Sequence, residues 1–96
     1  MEETQKPLDA YEFAGVMLQQ CVEIAWQKIG LRPDPFTGKL EPDRDAATLA
    51  IDLADAIFAR LRPILDADDV RDMQNVLRDL RLNFVQRFPA GGEGSV

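Results

Sequence analysis

The stretch Leu8–Ile29, LDAYEFAGVMLQQCVEIAWQKI, decides the fold. At about 100° per residue, Tyr11, Ala14, Leu18, Val22, Ala25 and Ile29 form one apolar stripe. Phe13, Met17, Cys21 and Ile24 form a second stripe beside it. The polar residues Glu12, Gln19, Gln20, Glu23 and Gln27 are left a sector only about 100° wide, which also holds Val16. A surface helix of a globular protein needs an apolar sector little more than ~100° wide, and this one has about twice that. Asp9 is placed as an N-cap, with Glu12 three residues on approximating a capping box. Gly30 supplies a stop able to take positive φ.

Outward from this helix, the connector Leu31–Pro42 contains Pro33-Asp34-Pro35-Phe36-Thr37-Gly38, the residue choices of type I turn chemistry. Leu31, Phe36 and Leu40 are expected to pin it by packing back on the helices, giving an ordered loop. A second helix should start at the N-cap Asp43, burying Ala46, Ala50, Leu53, Ile57, Leu61 and Ile64, flanked by Ala47, Leu49, Ala54 and Phe58. Pro63 ends or kinks it. A third helix begins at Asp66, with Asp68, Asp69 and Asp72 over its positive end. It buries Val70, Met73, Leu77, Leu80, Phe84 and Phe88, with Val76 and Val85 widening the stripe. The expected fold is all-α, a three-helix bundle-like domain over residues 8–88 with a long proline-containing loop between helices one and two. Residues 1–7 and the glycine-rich residues 89–96 read as flexible tails.

The inventory narrows the chemistry. The 96 residues carry a net charge of -6, no His, one Cys and one Ser. A chain of this length forms one domain with a small core. Without His there is no Ser-His or Cys-His pair, no imidazole base and no His-bearing metal site. A single Cys forms neither an internal disulfide nor a thiolate zinc site. The acidic balance argues against nucleic acid, which needs a basic face. The polar N-terminus does not read as a signal peptide, and no stretch approaches the ~18 apolar residues of a membrane span. The expectation is a soluble cytoplasmic protein that does not bind membranes.

One set of residues carries a family resemblance. Gly30 precedes Pro33-Asp34-Pro35-Phe36-Thr37-Gly38; Ile51-Asp52-Leu53 follows on helix two; Asp79-Leu80-Arg81 and Phe84-Val85 close helix three. In this order and spacing they resemble a small bacterial family known as a domain of unknown function, number eighteen forty-four, from about Phe13 to Val85. The resemblance implies a short, soluble, mostly helical protein and brings no activity, cofactor or catalytic residue with it. Trp26, Gln27 and Lys28, and Pro63 in place of a Gly, depart from the family pattern.

Each candidate chemical site has a plainer explanation. Asp66, Asp68, Asp69 and Asp72 lack calcium-loop spacing and fit helix capping; Asp45, Asp52 and Asp55 read as a solvated acidic face. Cys21 lies mid-helix among apolar neighbours, where a thiol packs as a small hydrophobe. Arg32 and Lys39 flank a loop without the successive glycines of a phosphate cradle. Arg78, Asp79 and Arg81 are candidates for an ion-pair network, with i,i+3 and i,i+4 pairs the default for the arginines of helix three. No metal and no cofactor is expected.

The surplus apolar stripe on helix one therefore carries the functional expectation. Left exposed, it amounts to several hundred Å², near the limit for a monomer. The leading expectation is a non-catalytic helical homodimer acting as an interaction or scaffold module, its interface on Phe13, Met17, Cys21 and Ile24, with Trp26 either an anchor of that interface or packed under the loop. The alternative is a small-molecule or lipid-tail binder whose cavity lies between the helices. An unknown protein partner on the same face stays open.

Overall fold

The computed structural model describes residues 6–89. The two tails read from the sequence lie largely outside the described residues. Three helices follow in order: α1 (Ala10–Ile29), α2 (Arg44–Leu61) and α3 (Ala67–Arg87), with a 3-10 turn at Arg62–Ile64. Among the described residues there is no strand.

Each helix begins on an aspartate. Asp9 Oδ1 accepts from the N–H groups of Tyr11 and Glu12, Asp43 Oδ1 from Ala46 N–H and Asp66 Oδ1 from Asp69 N–H. These bonds satisfy amide groups that the first helical turn leaves unpaired. α1 ends in a Schellman pattern: Gly30 N–H donates to Gln27 O, Leu31 N–H to Trp26 O, and Gly30 sits at φ 95°. α2 stops one residue before Arg62-Pro63-Ile64, because Pro63 has no N–H to continue the ladder.

α1 and α2 form an antiparallel hairpin, tied at its closed end by Asp43 N–H donating to Lys28 O at 2.8 Å. The core holds four residues of α1 (Leu18, Val22, Ala25, Ile29), six of α2 (Ala47, Ala50, Ile51, Ala54, Phe58, Leu61) and two of α3 (Leu77, Leu80). Three alanines on the α2 side let the two backbones approach closely, so the hairpin holds most of the buried volume. α3 lies across one side of it. Phe84 and Val85 share a groove with Thr48 and Ile51 near the start of α2, while Met73 and Val76 share one with Leu18 and Leu61 at the other end. α3 therefore runs antiparallel to α2 and parallel to α1.

Two expectations are corrected here. The buried stripe of α2 is Ala47, Ala50, Ile51, Ala54, Phe58 and Leu61, rotated by roughly 70° from the stripe read in the sequence. Leu49, Leu53 and Ile64 are exposed and Ile57 is half-buried. α2 offers two nearly equivalent apolar stripes, and packing selected the one rich in alanine because it seats closer against α1. Tyr11 is also exposed, in the first turn of α1 at the open end of the hairpin.

Candidate interaction face

On each hairpin helix a set of large exposed apolar residues falls on one line, with Tyr11 and Val16 of α1 lying off it. Measured from the centre of the core stripe at 100° per residue, Phe13, Met17 and Ile24 on α1 and Leu49 and Leu53 on α2 all lie roughly 110–150° around, in the same rotational sense. Facing antiparallel helices are related by a two-fold axis normal to their common plane, so same-sense displacement puts both lines on one side of the hairpin. Gly15 and Gln19 of α1, and Ile51 and Asp55 of α2, line the grooves against α3 and lie around in the opposite sense. α3 thus covers one side of the hairpin. The other side presents Phe13, Met17, Ile24, Leu49 and Leu53, all exposed, with Phe13 at 52% and Leu53 at 46%.

Half-buried Cys21, Ala46 and Ile57 form the seam between the two lines. Cys21 packs against the core from there, and burial pushes its thiol pKa up, which keeps the sulfur protonated. Trp26 does not join this face. It lies roughly 70° around on the α3 side and packs half-buried against the core, so the five proposed interface residues divide four and one. The contribution of Leu49 and Leu53 was hidden because the sequence pattern assigned them to the core of α2 or its flank.

The proline loop is ordered by polar bonds. Asp34 Oδ1 accepts from Phe36 N–H (2.7 Å) and Thr37 N–H (3.2 Å), Asp34 N–H donates to Lys39 O and Gly38 N–H to Asp34 O, both at 2.8 Å. Asp34 Oδ2 also lies 3.8 Å from Lys28 Nζ, which fixes the turn to the last turn of α1. Gly38 takes φ 73°, and Thr37 Oγ1 donates to Glu41. Leu31, Phe36 and Leu40, expected to pin the loop, are all exposed, Phe36 at 94%. Pro33, Pro35 and Gly38 shape the turn, and Asp34 holds it.

The charged candidates also resolve. Arg81 pairs with Asp55 of α2 across the helix interface. Among the described residues no ion pair joins Asp79 to Arg78 or Arg81; the Asp79 carbonyl accepts from Asn83 Nδ2 instead. Arg71 lies 3.3 Å from Asp68 and 3.6 Å from Asp72, so the acidic residues at the start of α3 serve as a cap and local ion pairs. Arg32 pairs with Glu23 of α1. Among the described residues no three His, Cys, Asp or Glu side chains converge to hold a metal ion. A groove of about 360 Å³ between α1 and α3 is lined by Gly15, Leu18, Leu61, Leu65, Met73 and Val76, with Asp69 and Asp72 at its rim. No described helix is long and apolar enough to cross a membrane.

The span that carries these features, residues 10–86, matches the family model described as a domain of unknown function, DUF1844. The chain belongs to this family. The match takes in all of α1, the Asp34-centred turn, all of α2 and nearly all of α3, so the apolar side of the hairpin lies wholly within the DUF1844 domain. No curated protein and no solved structure matches the chain.

Proposed function

We propose that this DUF1844 protein is a non-catalytic, cytoplasmic interaction module that works as a homodimer. The observation that supports the reading is the continuous apolar side of the α1–α2 hairpin, opposite α3. A chain that buries twelve apolar residues still leaves five large ones together in water. A second copy of the same surface removes them at no cost in new sequence, because a two-fold contact is self-complementary by symmetry. Glu12, Glu23, Asp45 and Asp52 lie away from the line of Phe13, Met17, Ile24, Leu49 and Leu53, around toward the back and the α3 side, while exposed Arg60 of α2 falls on that line near its end. The non-catalytic part rests on the residue inventory, which has no His and holds its one Cys as a protonated, half-buried thiol.

Size-exclusion chromatography with light scattering at two concentrations tenfold apart tests the reading. A mass of two chains at both concentrations is expected, falling to one chain for Met17→Asp and Ile24→Asp. A wild-type monomer at both concentrations, or a dimer untouched by both substitutions, overturns it.

A further inference from the structure

Resting on the homodimer reading, we infer that the partner surface is the combined face of both hairpin helices, so that two α1–α2 hairpins stack into a four-helix core with the two α3 helices outside. Area argues for this. The α1 line from Phe13 to Ile24 is about 17 Å long and one helix, ~10 Å, wide, too small a strip for a stable pair on its own. Both helices together, over the 18 residues of α2, offer about 27 Å by ~20 Å, or roughly 550 Å² in projection. Side-chain relief raises the accessible area toward the ~800 Å² per partner of a standard interface.

The residue sizes favour a second copy as the occupant. Large Phe13, Met17, Ile24, Leu49 and Leu53 alternate with small Cys21, Ala46 and Ala56, which gives one surface both knobs and holes. Stacked antiparallel hairpins are the ordinary geometry of a four-helix bundle. α3 cannot take part, since it already covers the other side of the hairpin, and its own exposed Leu82 faces away from this surface.

The test extends the light-scattering experiment to Leu49→Asp, Leu53→Asp and Leu82→Asp, with helicity followed by circular dichroism. Leu49, Leu53 and Leu82 are all exposed in the single chain, so each variant keeps its core. The expected result is a wild-type dimer, a Leu82→Asp dimer, and Leu49→Asp and Leu53→Asp monomers of full helicity, each with dimerisation weakened at least about 30-fold. If Met17→Asp dissociates the dimer while both α2 variants remain dimeric, the four-helix core is wrong and the homodimer reading stands. If Leu82→Asp dissociates as well, the face is misplaced and the inference fails. If the wild type is a monomer, the inference and the homodimer reading fail together.

Discussion

Arg81 of α3 donates from Nη2 to Oδ1 of Asp55 on α2, joining residues 26 apart in the chain. Both side chains are well exposed, at 51% and 36%, so water and salt screen the pair. It orients α3 more than it stabilises it. Arg81→Ala should lower unfolding stability by only about 0.2–1 kcal/mol, and the loss should shrink in high salt. Urea unfolding at two ionic strengths checks this; a loss of several kcal/mol unaffected by salt would mean that the pair is far better shielded than its exposure indicates.

The loop between α1 and α2 depends on one carboxylate. Asp34→Ala removes the acceptor for Phe36 and Thr37 N–H and the contact to Lys28. By analogy with a lost helix cap, the cost is about 0.5–2 kcal/mol. Faster amide exchange should be confined to residues 34–39, with α1 and α2 unchanged. Gly30→Ala should cost about 1–2 kcal/mol, because an L-residue is strained at φ 95°, and a Cβ there would meet Pro42 Cβ at 3.1 Å. Equal stability for the Gly30→Ala and wild-type proteins in chemical denaturation would contradict the assigned backbone geometry.

The elements were legible in the sequence where local chemistry sets them. Asp9, Asp43 and Asp66 announce three helix starts, and each carboxylate makes its capping bond. The stripe Leu18, Val22, Ala25, Ile29 was also legible, since it is the one continuous line on α1 that meets a neighbour along its whole length. The face of α2 was not. Ala50 and Leu61 of the expected stripe are buried, but Leu53, Ile57 and Ile64 are larger than Ala47 and Ala54, and side-chain size favours burying them; how closely two backbones approach is a tertiary quantity that periodicity does not contain. The same limit hid the role of Asp34. Leu31, Phe36 and Leu40 looked like anchors by composition, whereas the turn is held by backbone amides whose directions are fixed only once the chain has folded.

α3 is fastened by two buried side chains, so the removal of one should be felt across the helix. Leu80 is fully buried and Leu77 nearly so, while Val70, Met73, Phe84 and Phe88 are half-buried. Leu80→Ala should cost about 2–5 kcal/mol, the range for truncating a packed leucine. The hairpin keeps ten of the twelve core residues, so it should outlast α3. Hydrogen exchange should therefore show amides of α3 opening at lower free energy than those of α1 and α2, and Leu80→Ala should widen that gap. Equal protection across all three helices would show that the domain opens as a single unit.

Cys21 gives the hairpin a pH signature. Burial holds its folded-state pKa above the unfolded value, so the folded state disfavours the thiolate. Below the unfolded pKa the thiol is protonated in both states and the shift has no effect. As the pH climbs past that value the unfolded chain releases the proton first, and stability falls until the folded thiol ionises too. The wild-type protein should therefore lose stability on the alkaline side more steeply than Cys21→Ala, a comparison that isolates the thiol. Alkylation by iodoacetamide should rise with pH at a higher midpoint in the native protein than in urea. Coincident midpoints would place the thiol in free solvent, and the seam between Met17, Ile24 and the core would then be open to water.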